Sequence, residues 1–101
     1  MGRDIDEIIE RVKQRIPDVK VRQYWVPNPS QADDGIWFFR LPEIAKSIQI
    51  ESTYGMCPFM VEHDDMKATS EALTARTVEE AVEMVTVYLM SLRSGSQPTK
   101  S

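Results

Sequence analysis

The chain has 101 residues, a formal net charge of −4 and a sequence pI of about 4.9, and 42% of its residues are hydrophobic. This length suits one folded domain, and the acidic balance disfavours nucleic acid as a partner because phosphates require a basic face. No stretch approaches the ~20 apolar residues that cross a bilayer, and no signal peptide is visible, so we expect no membrane partner. The single cysteine cannot form an internal disulfide, which favours a reducing, cytoplasmic location.

The first predicted element is an amphipathic helix. Asp4 and Glu7 have the spacing of a capping box, and Pro17 ends the helix because it has no N–H to donate. The apolar residues recur at helical spacing and form one stripe, which consists of Ile5, Ile8, Ile9, Val12 and Ile16.

Two strands are predicted next, on either side of a segment rich in turn residues. The first covers residues 19–26, where apolar and polar side chains alternate. The second covers residues 36–41 and is apolar on both faces. Such a pattern is typical of a strand inside a sheet, or of one whose second face meets something else.

A β-hairpin is predicted from Ser47–Thr53 and residues 58–63. Pairing Ile50 with Val61 aligns the apolar faces of the two strands, whereas a slip of one residue would place Ile50 opposite Glu62. The pattern therefore specifies the register of this hairpin.

The C-terminal half ends in a second amphipathic helix. Residues 63–75 are polar and favour a loop with a short strand around Leu73, and Thr77 and Glu80 have the spacing of a capping box. The core stripe of the helix is Val78, Ala81, Val82, Val85, Leu89 and Leu92. We therefore predict an α+β fold, in which an antiparallel sheet of about four strands lies between an N-terminal and a C-terminal amphipathic helix. Residues 1–93 form its single domain and residues 94–101 a disordered tail.

Residue types that carry catalysis are present but badly spaced. Cys57 and His63 would lie at opposite ends of one strand, roughly 20 Å apart, whereas a nucleophile and its base must lie within about 3 Å. Asp64 and Asp65 beside His63 do not complete a zinc or calcium set, and no glycine-rich phosphate loop occurs. We predict no catalytic residue, no metal site and no cofactor.

Surplus apolar residues point instead to binding surfaces. One set lies on the last helix beside its core stripe and consists of Met84, Val87, Tyr88 and Met90. The other set lies at the hairpin turn and consists of Tyr54 and Met56. The polar face of the last helix is predicted to hold Glu79, Glu80, Glu83, Thr86 and Ser91. Such apolar positions serve either as ordinary core or as partner contacts.

The outer face of the hairpin is another candidate surface. It is predicted to present Gln49, Glu51, Met60 and Glu62, together with Thr53. This is a mildly acidic platform with one apolar spot, which suits a basic partner protein. The alternative interpretation is a solvated sheet face.

Several runs carry a resemblance to known proteins. WFFRLP at 37–42, IQIES at 48–52, GMCPF at 55–59 and TVEEAV at 77–82 resemble short bacterial proteins of uncharacterised function. A small acidic protein of this build also looks like immunity proteins that neutralise a cognate toxin, and its layout resembles that of bacterial secretion chaperones. The resemblance implies a protein-binding role and assigns no site residue.

The leading hypothesis is a non-enzymatic protein-binding domain that acts as an antidote-like or chaperone-like partner of another protein. A second hypothesis is a structural homodimer that uses Met84, Val87 and Met90. A third is a small-ligand binder or enzyme with a site near residues 63–76.

Overall fold

A computed structural model describes residues 3–25, 34–53, 55–66 and 72–95. It confirms the α+β class. In chain order the elements are α1 (Asp4–Arg15), β1 (Lys20–Trp25), β2 (Asp34–Arg40), β3 (Ser47–Thr53), β4 (Phe59–His63), β5 (Leu73–Ala75) and α2 (Val78–Gly95). The sheet has five strands rather than about four, because the short segment around Leu73 pairs with β4 as an edge strand.

Each strand pairs with its neighbour in sequence, so the five antiparallel strands stand in the order β1-β2-β3-β4-β5. The hairpin register is confirmed: Ile50 lies opposite Val61, and Glu51 lies opposite Met60. β2 lies between β1 and β3, which agrees with the apolar character of both its faces.

The core lies between one face of the sheet and the two helices, which also pack against each other. Trp37 and Phe59 meet edge to face in this core, with their ring centroids 6.4 Å apart. The largest fully buried side chains come from both helices, from the strands and from the residue that follows β2: Phe39, Phe59, Ile5, Ile8, Leu41, Ile48, Ile50, Leu89, Val12, Val61, Val82 and Val85. The predicted apolar stripes of the helices therefore face this core.

The predicted capping box at the start of α1 is wrong. The helix begins one residue earlier than that box requires, and the amide of Arg3 donates to Asp6 Oδ2 at 3.0 Å. The carboxylate of Asp4 is used elsewhere: its Oδ2 accepts a hydrogen bond from the Cys57 amide at 2.9 Å. Asp4 thus connects α1 to the β3–β4 turn instead of capping its own helix.

Gly55 in that turn allows α1 to approach closely. The Ile5 amide donates to the Gly55 carbonyl at 2.9 Å, and Gly55 has a φ of 70°. A Cβ at this position would lie 2.7 Å from Ile5 Cγ2. Glycine therefore serves both the left-handed backbone and the close contact.

At the start of α2, half of the predicted capping box is present. Thr77 Oγ1 accepts a hydrogen bond from the Glu80 amide at 3.1 Å, but the Glu80 carboxylate accepts from the Arg76 amide at 2.8 Å rather than from Thr77. The helix continues to Gly95 and so includes residues 94 and 95, which the prediction assigned to the tail. Residues 96–101 lie outside the described residues.

Candidate functional site: the open face of the sheet

The side of the sheet turned away from α1 and α2 carries mixed apolar and charged side chains. We call it the open face, because no described helix lies over it. Strand alternation and pairing place on it Lys20, Arg22, Tyr24, Ile36, Phe38, Arg40, Ser47, Gln49, Glu51, Met60, Glu62 and Thr74.

Four apolar side chains lie on the open face, three on β1 and β2 and one on β4. Tyr24 is 50% exposed and Met60 is 45% exposed, while Ile36 and Phe38 between them are half-buried. Phe38 lies in a shallow depression with Lys20, Arg22 and Arg40 around it. Large apolar side chains on an uncovered sheet face are the feature that most distinguishes this surface from an ordinary solvated one.

The strand register arranges the open face in rows that run across the sheet. One row reads Arg22, Phe38, Gln49 and Glu62 from β1 to β4. The next row reads Tyr24, Ile36, Glu51, Met60 and Thr74 from β1 to β5.

The two sides of the open face carry opposite charge. Lys20, Arg22 and Arg40 lie on β1 and β2, whereas Glu51 and Glu62 lie on β3 and β4. The Arg40 guanidinium donates to the Leu41 carbonyl at 3.1 Å, which restrains its position. The face is therefore divided into a basic and an acidic half.

Four of the hairpin-face residues of the sequence prediction, Gln49, Glu51, Met60 and Glu62, lie on the open face, and the side chain of Thr53 lies outside the described part of the structure. Gln49 Nε2 donates to Glu62 Oε1 at 3.3 Å across the strand pair, and Met60 stands opposite Glu51. Sequence reasoning missed the basic half of the face. Its signal was the alternation of Lys20 and Arg22 along β1, on the same face as Arg40 once the two strands pair.

The predicted contact residues of α2, which are Met84, Val87 and Met90, are only partly exposed. Met84 is half-buried and packs against the core, whereas Val87 is 55% exposed and Met90 is 56% exposed. Thr86, predicted on the polar face, is buried, and its hydroxyl donates to the Val82 carbonyl at 2.8 Å. Tyr88, predicted outside the core stripe, is also buried.

Met56 is an exposed apolar residue of the hairpin turn. Its carbonyl accepts a hydrogen bond from the Ser52 hydroxyl. Tyr54, the other residue of the predicted tip, lies outside the described residues.

The polar groups at the end of β4 and just after it make contacts within the fold. The imidazole of His63 stacks on the Tyr88 ring with centroids 4.1 Å apart, and the Tyr88 hydroxyl donates to Asp65 Oδ2 at 2.9 Å. Lys46 also donates to Asp65, and Asp64 Oδ2 accepts from the Ser47 amide at 2.9 Å. Hydrogen bonds from Lys46 and Tyr88 lower the pKa of Asp65.

Cys57 is a poor nucleophile in this environment. Burial, together with the neighbouring Asp4 carboxylate, raises the pKa of its thiol to about 11, so little thiolate exists near neutral pH. Cys57 lies two residues before β4 and His63 is the last residue of β4, so the two lie towards opposite ends of the strand, as the sequence predicted. Among the described residues, no three His, Cys, Asp or Glu side chains are grouped to hold a metal ion.

No described helix is long and apolar enough to cross a membrane. No family model matches the chain, and no curated protein or solved structure matches it either. The resemblance to immunity proteins and secretion chaperones therefore stays a prediction.

Proposed function

We propose that this chain is a non-enzymatic protein-binding domain and that its partner docks on the open face of the sheet. The observation that carries the proposal is the group of apolar side chains on that face, formed by Tyr24, Ile36, Phe38 and Met60. Burying such side chains against a partner is favourable by about 25 cal/mol per Å² of apolar surface.

The charges around this group supply orientation. On one side of the face, Lys20, Arg22 and Arg40 lie on β1 and β2. On the other side Glu62 lies on β4, and Glu51 lies on β3 between Ile36 and Met60. A partner must present acidic groups to the first side and basic groups to the second. Such complementarity fixes the register of a complex and excludes partners of the wrong charge.

This arrangement refines the partner expected from the sequence. A uniformly basic partner would suit Glu51 and Glu62 but would be repelled by the arginines of β1 and β2. We therefore propose that the open face binds a protein whose contact surface carries both signs of charge. The face carries aromatic and arginine side chains, which are residue types that often dominate the binding energy of protein interfaces.

Site-specific photocrosslinking in cells tests the proposal. A benzophenone side chain placed at Phe38 or at Met60 should yield covalent adducts with a protein, identified by mass spectrometry. The matched control is the same probe at Lys13, which is exposed on α1. Adducts from positions 38 and 60 but not from 13 support the proposal, whereas equal yields at all three positions contradict it.

A charge-reversal variant gives a second readout. Replacing Glu51 and Glu62 with Lys should lower the yield of adducts at position 38, because the acidic half of the face is lost. Replacing Glu10 and Glu79, which are exposed on the helices, with Lys changes the net charge equally and should leave the yield unchanged. Equal losses for both variants would show that net charge, not the open face, governs binding.

A further inference from the structure

We infer that the partner seated on the open face is a second copy of this chain, related to the first by a two-fold axis parallel to the strands. The inference rests on the proposed function, since it names the occupant of the same surface. It is carried by the order of charges along the rows of the sheet.

The geometry of such a pair follows from the strand order. The axis lies in the interface, parallel to the strands and midway between β2 and β3. Rotation about it reverses the order of the strands in the second copy. Each residue keeps its position along the strand direction. A residue of β1 then faces the residue of β4 in the same row of the second copy, and β2 faces β3. Aligned packing of this kind is the ordinary arrangement of two sheets in a sandwich, about 10 Å apart.

The first row is self-complementary under this operation. Arg22 and Glu62 occupy its two ends. Each Arg22 therefore faces Glu62 of the second copy, and the symmetry makes this ion pair twice. Phe38 faces Gln49 of the second copy near the axis.

The second row brings the exposed apolar side chains together. Tyr24 and Met60 stand on β1 and β4 of this row, and they are the two most exposed apolar residues of the open face. In the pair each Tyr24 faces Met60 of the second copy. Ile36 faces the aliphatic part of Glu51, which lies opposite Met60 within its own sheet.

The charge pattern disfavours a second arrangement of the two copies. A two-fold axis that runs across the strands along the first row would place Arg22 against Arg22 and Glu62 against Glu62 of the second copy. Like charges brought together in an interface are strongly unfavourable. The axis parallel to the strands pairs opposite charges at both ends of the row.

The size of the face predicts a weak association. Four strands spaced ~4.8 Å apart, over about five residues of strand length, offer roughly 300 Å² of flat face per copy, less than the ~800 Å² per partner of a standard interface. We therefore expect a reversible dimer that forms in the upper micromolar range, in a concentration-dependent manner.

Sedimentation equilibrium of the full chain between about 10 μM and about 1 mM tests the inference. The wild-type chain should shift from monomer to dimer. Arg22→Glu alone and Glu62→Arg alone should each stay monomeric, because each variant sets like charges against each other twice. An equimolar mixture of the two variants should form a heterodimer, since both contacts then join opposite charges. Circular dichroism confirms that each variant is folded.

Two further variants serve as controls. The double variant R22E/E62R should dimerise like the wild type, because it exchanges the two ends of the row. Val87→Lys, on the exposed side of α2, should leave the dimer intact. Loss of the dimer in Val87→Lys alone would place the interface on α2 and overturn the inference.

Failure of the inference and failure of the proposed function can be told apart. A chain that stays monomeric at every concentration, or a dimer that is indifferent to Arg22→Glu, overturns the second copy as partner. If position 38 still crosslinks to a different protein, the open face is a docking surface and only its occupant was wrong. If position 38 crosslinks to nothing and the chain is monomeric, both proposals fail.

Discussion

The hydroxyl of Tyr88 donates a hydrogen bond of 2.9 Å to Oδ2 of Asp65, and this contact fastens helix α2 to the segment that follows β4. The same ring stacks on His63, and the same carboxylate accepts a hydrogen bond from Lys46, just before β3. Tyr88 and Asp65 together therefore connect the last helix to β4 and to the residue that precedes β3.

Tyr88→Phe should lower the free energy of unfolding by about 1 kcal/mol near neutral pH, because it removes this hydrogen bond and keeps the stacked ring. Urea unfolding at several pH values measures the effect. The pKa of Asp65 is lowered by Lys46 and Tyr88, so the stability it confers is present above about pH 4 and is lost as the carboxylate protonates. The difference between the two proteins should shrink in acid.

At alkaline pH, the stability that the Tyr88 hydroxyl contributes should fall as pH rises. Burial and the hydrogen bond to Asp65 raise the pKa of Tyr88, so its contribution is complete below about pH 10 and is lost as pH rises, because the unfolded phenol ionises first. The wild type should therefore approach Tyr88→Phe above pH 10. Tyr24→Phe, at an exposed phenol, is the control and should change little at any pH. A pH-independent penalty for Tyr88→Phe would contradict this account.

The Cys57 thiol should react slowly with alkylating reagents in the folded chain. The thiol pKa of about 11 in the folded chain should return to roughly 8.5 in urea, so alkylation at pH 8 should be much slower in the native protein. Asp4→Asn should accelerate alkylation only partly, because burial is the larger cause of the raised pKa and the carboxylate the smaller. Mass spectrometry follows the reaction without interference, since the chain has one cysteine. Equal rates with and without urea would show that the thiol is not shielded.

Gly55→Ala should destabilise the fold. A left-handed backbone costs an L-residue about 1–2 kcal/mol, and the added Cβ would press on Ile5 Cγ2. Gly55→Asn separates these causes, because asparagine tolerates the left-handed region but also carries a Cβ. Guanidinium unfolding should rank the wild type above Gly55→Asn and Gly55→Asn above Gly55→Ala. Equal stability of Gly55→Ala and the wild type would rule out the close contact with α1.

Two neighbours in β4 should respond differently to truncation. Phe59 is fully buried, so Phe59→Ala should cost about 3–5 kcal/mol in thermal or chemical unfolding. Met60 lies on the open face, and Met60→Ala should cost less than about 1 kcal/mol while lowering dimer formation in sedimentation. A stability loss for Met60→Ala as large as that for Phe59→Ala would mean that the open face is covered.

The register of Ile50 and Val61 was predictable from the sequence for a physical reason. Apolar and polar side chains alternate along both strands, and only one register over a short turn puts all the apolar ones on the same side. The core stripes of the helices were predictable in the same way. These features depend on periodicity within 10 to 20 residues, which a single sequence displays.

Other features depend on contacts that periodicity does not encode. β5 has three residues, too few to show alternation, and its strand state comes from pairing with β4. Thr86 is a polar residue in the core because its hydroxyl is satisfied by the Val82 carbonyl within its own helix. The Asp4 carboxylate does not cap its own helix as predicted, because it accepts a hydrogen bond from a backbone amide more than fifty residues away.

The basic half of the open face was missed because it depends on how β1 pairs with β2. Lys20 lies opposite Arg40 and Arg22 lies opposite Phe38, a register set across an eight-residue connection, residues 26–33. Turn chemistry fixes register only in short hairpin loops. Without that register, the acidic half of the face was visible and its basic counterpart was not.

The packing of α1 against α2 has a consequence for synthesis of the chain. The apolar stripe of Ile5, Ile8 and Val12 is synthesised before α2, which forms part of its cover. The meander of β1 to β4 needs only neighbouring segments and can form as the chain emerges. During translation, the apolar side chains of α1 therefore stay partly exposed to solvent until α2 has left the ribosome. Nascent chains that stall before α2 should be the species that associate with chaperones.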